Sequence, residues 1–177
     1  MNSEMENFET ERLYLRPTNK EDADFILELM NTPKWMKFIG DRNVKSKEAA
    51  EAYIENKIWV QHKRLGFSNY TVIRKSDGVK MGSCGLYDRE GLEGVDIGFA
   101  FLPQYEGQGY GFEASQKILA LAFDRFGLKK VVAITDKRNV VSQSLLKKLG
   151  LIFAGEITLE GDDKKLFLFE KRNDISS

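Results

Sequence analysis

Three glycines at alternate positions, Gly107, Gly109 and Gly111 in "FLPQYEGQGYGFEA", are the residues whose type and spacing most directly suggest chemistry. They lie between an apolar run and a helix-like one. A loop at a helix N-terminus aims several unpaired N–H groups at one point, with the helix dipole behind them, and so suits an anion such as phosphate. Glycine lets that backbone approach a ligand closely and adopt positive φ where needed. The stretch carries no Lys or Arg, so anion binding there would rest on main-chain donors. A P-loop needs Gly-Lys-Ser/Thr, whereas Gly111 is followed by Phe112 and Glu113. A dinucleotide fingerprint needs G-x-G-x-x-G, and the spacing here is G-x-G-x-G. On the loop alone, the pyrophosphate of coenzyme A and a turn serving only chain reversal both stay open.

Other reactive side chains are few. One cysteine, Cys84, excludes an internal disulfide, and together with the single His62 it argues against a Cys/His zinc site. Cys84 lies in a predicted strand with no His nearby in sequence, and reads as a small core residue rather than a nucleophile. His62, on a lysine-rich helix, is expected to be solvated. No metal is expected. Lys+Arg and Asp+Glu number 27 each, so no net field recruits nucleic acid or an anionic membrane. No apolar run approaches the length of a membrane span, and "MNSEMENFETER" is too acidic for a secretory signal, so a cytoplasmic protein is expected.

The elements that position the glycines are legible from pattern. At 177 residues a single domain, 1–177, is expected. "RLYLRP" alternates Leu13 and Leu15 with polar residues and ends at Pro17, which suits an edge strand. "TNKE" reads as a capping box with Thr18 as the cap and Glu21 reaching back. A short helix with Phe25, Ile26, Leu29 and Met30 on one face should stop near Pro33. A second should run from Ser46 to about Leu65, with Gly66 just past its end. "FSNYTVIRK" and "KMGSCGLYD" flank the turn signal "SDG" and read as a hairpin. A strand follows over Val95–Leu102, then the glycine stretch, then a helix from Phe112 to Phe126. The strand "KKVVAIT", the helix "NVVSQSLLKKLG" and two strands around "EGDDK" complete the order βααβββαβαββ. The crossover centred on the glycines makes two parallel strands, and the hairpins around it make the sheet mixed.

With these elements in place, the sequence resembles the GCN5-related N-acetyltransferases (GNAT). Their acetyl-CoA-binding motif, Q/R-x-x-G-x-G/A, is matched by Glu106-Gly107-Gln108-Gly109-Tyr110-Gly111. "TERLYLRP", "DIGFAFLP", "FEA" and "NVVSQSLLKKLG" fall in the family's order and spacing. The set looks most like the ribosomal-protein-alanine acetyltransferase (RimJ/RimL-type) branch over roughly residues 10–171. The resemblance implies an α/β (mixed α+β) GNAT fold, with about seven strands in a mixed sheet, helices on both faces and a central β-α-β acetyl-CoA-binding unit. One departure stands out: Glu106 occupies a position usually held by Gln or Arg. Its side chain is expected to point to solvent.

The resemblance also implies roles. Backbone N–H groups of Gln108, Gly109, Tyr110 and Gly111 would cradle the pyrophosphate, and main-chain groups of Phe99, Ala100 and Phe101 would bind the pantetheine arm by strand addition. Asn139 matches the family asparagine that contacts the arm, and its place before an apolar helix suits an N-cap as well. Lys137 and Arg138 could meet the 3′-phosphate or be solvated. Acyl transfer to an amine needs an uncharged nucleophile, stabilisation of an oxyanion and a leaving thiolate. Asp96 in "GVDIGF" is the candidate base, with Glu93 in reserve; an outward-facing strand residue is the alternative. Many family members carry a tyrosine seven residues after the asparagine, where this chain has Leu146. Ser142 matches the serine of the ribosomal-protein branch and could donate a proton or hold a water; it could equally be a first-turn helix serine. Trp35, Phe38, Tyr53 and Trp59 belong to helices that border the acceptor cleft in this fold, or to its core. The expected function is transfer of an acetyl group from acetyl-CoA to a primary amine, first a protein N-terminus. A small amine or a non-catalytic acyl-CoA-binding domain are the alternatives. A homodimer is open by resemblance.

Overall fold

The computed structural model describes residues 6–159 and 161–173. Eight strands form one sheet in the order β1-β2-β3-β4-β5-β6-β8-β7. They are β1 (Phe8–Glu9), β2 (Leu13–Pro17), β3 (Asn69–Arg74), β4 (Lys80–Tyr87), β5 (Val95–Phe101), β6 (Lys130–Asp136), β7 (Ile152–Thr158) and β8 (Lys165–Arg172). Every neighbouring pair is antiparallel except β5 and β6. The mixed sheet expected from the crossover is present. The eighth strand is β1, two residues too short to leave a periodic signal; it pairs Phe8 with Leu15, so β2 is not the edge.

Helices α1 (Ala23–Met30), α2 (Pro33–Phe38), α3 (Lys47–Tyr53), α4 (Trp59–Leu65), α5 (Tyr110–Asp124) and α6 (Val140–Lys148) complete the fold. The capping box lies one residue later than expected: the Asn19 side chain accepts from Glu21 N–H and the Asp22 carboxylate accepts from Asn19 N–H. Thr18 is instead buried, bonded to Thr71. α1 ends at Met30, close to Pro33 as expected; Pro33 then opens the further helix α2, with Thr32 accepting from Trp35 N–H, because proline is tolerated at a first helical position. α3 and α4 are joined by a π-helical turn, Ile54–Ile58, which turns both isoleucines inward. Ser46 caps α3 and Gly66, at φ 86°, ends α4, both as the sequence indicates. The turn at "EGDDK" includes Glu160, which lies outside the described residues.

The sheet separates two apolar clusters. One face of α5 (Ala114, Ile118, Leu119, Ala122) packs with Leu13, Leu15, Cys84, Leu86 and Ile97. Phe25, Ile26 and Leu29 of α1 pack with Ala50, Ile54 and Ile58. Strand alternation assigns side chains to each. Ile97 points to the α5 side, whereas Asp96, Gly98 and Ala100 point the other way. His62 is not solvated: it is 2% exposed and stacks between Trp59 and Tyr70. Among the described residues no helix is long and apolar enough to cross a membrane, and no group of acidic, His or Cys side chains could hold a metal.

Gly85 and Gly98 face each other across β4 and β5, and a Cβ at either would meet the Tyr87 side chain at 2.9 Å. At Gly85 a Cβ would also lie 2.4 Å from the Ser68 carbonyl oxygen, a backbone atom that cannot rotate away. Gly85→Ala should therefore cost about 1–3 kcal/mol, the usual penalty of overpacking. Gly111→Ala should be neutral or gain up to about 1 kcal/mol of helix propensity. Its Cβ would meet nothing nearer than Leu145 at 3.6 Å, and its φ is not positive. Thermal melts of the two variants check the contrast.

Candidate functional site

β5 and β6 are paired in register only at Val95 with Val131 and Asp96 with Val132. Beyond that, β6 stays on β8 through Asp136 and β5 stays on β4 through Phe101, so the parallel strands part. From Ile97 to Phe101 the β6-facing edge of β5 has no strand partner. At the end of β5 the chain passes through a single 3-10 turn, Pro103–Tyr105, and enters the glycine stretch.

Gly107 and Gly109 both take positive φ, 74° and 85°, which only glycine adopts without strain. α5 starts directly after Gly109, and the first bond closing this turn runs from Glu113 N–H to the Gly109 carbonyl. The N–H groups of Tyr110, Gly111 and Phe112 precede that bond, and those of Gly107, Gln108 and Gly109 have no protein acceptor among the described residues. The loop thus presents a set of main-chain donors with little else to bond. It is fixed from outside by Arg12. The Glu113 carboxylate accepts from Arg12 N–H (2.9 Å), Arg12 Nε (2.7 Å) and Thr10 Oγ1 (2.5 Å). Arg12 Nη1 donates to the Gln108 carbonyl, and its guanidinium lies 4.3 Å from the Tyr110 ring centre. This clamp joins residues about a hundred positions apart and left no local sequence signal.

Two cavities meet at the parting strands. The smaller, about 160 Å³, is bounded by Thr32, Lys34 and Trp35 on one side and by the stretch from Phe99 to Gly111 on the other. The larger, about 660 Å³, lies on the α1–α4 side of the sheet and is lined by Trp35, Phe38, Tyr53, Tyr87, Arg89 and Asp96, among others. Phe99, Ala100, Asn139 and Ser142 line both. The sequence-derived candidates therefore converge: Phe99, Ala100, Phe101, Tyr110, Gly111, Asn139 and Ser142 border the smaller cavity, and Asp96 borders the larger. Gln108 and Gly109 are exposed on the loop. Glu93 is exposed, 3.9 Å from Lys130, and lines neither cavity. Trp59 lies in the helical cluster rather than the cleft.

Asp96 does not face outward. It is 2% exposed, its Oδ2 accepts from Arg89 Nε at 2.5 Å, and its Oδ1 has no hydrogen-bond partner. Burial pushes its carboxyl above the ordinary carboxylate range, against the pull of the Arg89 charge. Beside it Tyr87 donates to the Asn69 side-chain oxygen, and burial raises that phenol well above its usual value. Asn69 in turn donates to Thr18 and Ser83, so the cleft floor is a closed hydrogen-bond chain. Asn139 caps α6 by accepting from Ser142 N–H at 3.1 Å, which leaves its amide nitrogen for another acceptor. Among the described residues the Ser142 hydroxyl has no hydrogen-bond partner, and Leu146 is buried against the cleft. Glu106 is not directed to solvent alone: its carboxylate meets Lys34 Nζ at 2.5 Å. Lys137 pairs with Glu156, and Arg138 with Asp136. Cys84 is a core residue whose thiol burial pushes up to about 12.

Residues 12–152 match the family described as the acetyltransferase (GNAT) domain. The uncharacterized N-acetyltransferase YnaD of Bacillus subtilis is 28% identical over 142 residues, 80% of each chain. The fold is similar to that of the ribosomal-protein-S5-alanine acetyltransferase from Vibrio fischeri, with a TM-score of 0.79 and 19% identity over 97% of this chain and 99% of that one. It is also similar to RimL, the ribosomal L7/L12 alpha-N-protein acetyltransferase solved with coenzyme A. There the TM-score is 0.77, with 17% identity over 97% of this chain and 100% of that one. The chain belongs to the GNAT acetyltransferases and is an N-acetyltransferase.

At the end of β6, Asp136 is 4% exposed and accepts from Arg138 Nε and Nη2 (3.0 Å each), Arg138 N–H (2.8 Å) and Lys164 Nζ (2.6 Å). These bonds, those from Arg138 first, hold its carboxyl far below the ordinary range. A carboxyl whose pKa is depressed by folding contributes stability above its unfolded value, about 4, and loses it as pH falls toward the folded value. Asp136→Asn should therefore melt well below the wild type at pH 7, and the gap should narrow steadily in acid below about pH 4. Melting curves of both proteins from pH 7 to pH 2.5 read this out.

Proposed function

We propose that this GNAT acetyltransferase binds acetyl-CoA along the parted strands and transfers the acetyl group to an α-amine at a peptide or protein N-terminus, in the manner of the ribosomal-protein branch. The observation that carries the reading is the meeting of the two cavities at Phe99, Ala100, Asn139 and Ser142: one holds the free main-chain donors, the other a buried carboxylate. The residues present fit the cofactor. Unbonded N–H groups at a helix N-terminus suit a pyrophosphate, and the unpaired edge of β5 suits an arm that bonds like an added strand.

When bound, acetyl-CoA supplies an acyl group activated as a thioester. The chain supplies the rest. The N–H groups of Gln108, Gly109, Tyr110 and Gly111 hold the phosphates, Phe99–Phe101 align the arm, and the Asn139 amide donates to it while its oxygen keeps the α6 cap. Asp96 accepts the proton of the attacking amine at Oδ1, the oxygen Arg89 leaves open. Burial makes it a better base than an exposed aspartate, and Arg89 keeps it oriented. With Leu146 where many relatives have tyrosine, Ser142 is the side chain that would give a proton to the departing sulfur as its bond to the acyl carbon breaks. A thiol pKa of about 8.5 would let that sulfur leave as thiolate without it.

The charge balance of the cleft favours an α-amine over a polycation. Its carboxylates Asp88, Asp96 and Asp136 are all paired with cations, and Arg42 and Lys57 line the same space beside Glu90. An α-amine, with a pKa of about 8, is partly neutral at physiological pH, whereas a lysine or polyamine nitrogen at about 10 is not. Thiol release should therefore be faster with Ala- and Ser-start peptides than with spermidine or aminoglycosides, and turnover confined to the small amines would overturn the acceptor assignment. Asp96→Asn should lower kcat/KM by about 10²-fold at neutral pH. The loss should shrink as pH rises through the amine pKa and free amine becomes abundant; an unchanged pH profile would remove Asp96 as the base.

A further inference from the structure

Glu106 places a carboxylate beside main-chain donors that suit an anion, and the structure shows what meets that charge. Lys34 Nζ lies 2.5 Å from Glu106 Oε2, joining residues 72 positions apart across the mouth of the smaller cavity. Among the described residues lining that cavity, these two are the only ones with charged side chains. Lys34 is the second residue of α2, whose first turn carries no acidic residue, so the cation sits at the end of the helix that its dipole disfavours. The two side chains are 43% and 31% exposed, and a pair so accessible to water adds little to fold stability. The placement therefore calls for a reason other than stability.

We propose that Lys34 is a ligand for the phosphate groups of the cofactor and that Glu106 is its resting counter-ion, exchanged for the incoming phosphate. The proposal rests on the acetyl-CoA reading above. An anion arriving at the amides of Gly107–Gly111 meets the Glu106 carboxylate as a like charge, and Lys34 offsets it. The lysine's flexible stem and point charge let the ammonium swing from one oxygen anion to another without moving α2. The cradle segment has no cation of its own and the nearby Arg12 is engaged by Glu113, so α2 provides one at the cavity from the other wall. The family position usually filled by Gln or Arg can then hold an acid here.

This assignment makes the two partners act in opposite directions, which a purely structural strut would not. Trp35 follows Lys34 and lines both cavities, so its fluorescence provides a binding signal independent of turnover. CoA and phosphate-free pantetheine are titrated into the wild type, Lys34→Gln and Glu106→Gln at low and high NaCl. Lys34→Gln should weaken CoA about tenfold, the scale of one charge-assisted contact, and flatten the salt dependence. Glu106→Gln should tighten CoA several-fold, and pantetheine affinity should be the same in all three proteins. Lys34→Arg, which keeps the charge, should stay within a few-fold of wild type. Equal weakening by Lys34→Gln and Glu106→Gln would show a strut and overturn the proposal, as would CoA affinities that do not move. If the wild type binds pantetheine and not CoA, or neither, the acetyl-CoA reading itself falls, a result the variants cannot mimic.

Discussion

β5 and β6 share two residue pairs and then separate, and that short contact organises the functional half of the molecule. A strand edge left open is costly when buried, because each unbonded N–H or C=O forfeits its water without replacement. Here the gap is kept open from both sides. β6 is committed to β8 over seven pairs, from Lys130–Arg172 to Asp136–Leu166, and β5 is committed to β4 over six. Neither strand can close the gap without breaking its better ladder. The exposed edge of β5 and the free donors of the following loop are therefore standing features of the fold, available to a ligand that can bond as a strand and end in an anion.

The electrostatics around this gap follow a consistent pattern of local neutralisation. Glu113 is bound by Arg12, Glu106 by Lys34, Asp96 by Arg89, and Asp136 by Arg138 and Lys164. The partners come from distant parts of the chain, so each pair also ties an element down: Arg12 ties the segment before β2 to α5, and Lys34 ties α2 to the loop. The more exposed pairs, Glu113–Arg12 and Glu106–Lys34, contribute little energy singly, whereas the buried Asp96 and Asp136 would be costly without their cations. Their combined effect is to leave main-chain dipoles and Asp96 Oδ1, a buried carboxylate oxygen without a hydrogen bond, as prominent local features of the site. A chain with equal numbers of acidic and basic residues is suited to such a site, since no long-range field competes with the local one.

What the sequence made legible were the features set by near neighbours. Glycine spacing, the caps at Ser46 and Asn139, the stop at Gly66 and the apolar face of α5 depend on residues within a turn or two, and they were read at their places. The acetyltransferase fold was legible through the resemblance of the glycine motif and its flanking segments to the GNAT family. Features that depend on pairs far apart in the chain were not legible. Glu106 looked like a solvated loop acid because Lys34 is 72 residues away, and the Arg12 clamp lies about as far beyond local reach. His62 looked solvated because its helix is rich in lysine. The π-helical turn just before it breaks the regular spacing by which a helix face is read, and His62 lies between Trp59 and Tyr70. The capping box slipped by one residue because Thr18 and Asn19 are both good caps, and only the buried bond to Thr71 decides between them.

Strand parity explains why the Asp96 side chain turns to the cleft and not to the α5 core. Along β5 the residues alternate between the α5 core, which takes Ile97, and the cleft, which takes Asp96, Gly98 and Ala100. A slip of one residue would bury the carboxylate among leucines and place Ile97 in the cleft, so the register is enforced by the cost of both errors. The opposing strand supports the same arrangement. Tyr87 pairs with Asp96, and its ring needs the space left by Gly85 and Gly98. Those glycines would be poor strand residues anywhere else. A side chain at either would displace the tyrosine, open the hydrogen-bond chain through Asn69, and remove the floor against which Arg89 holds the carboxylate. The position of Asp96 is thus set by two residues that lack side chains, through the Tyr87 ring that fills the space they leave.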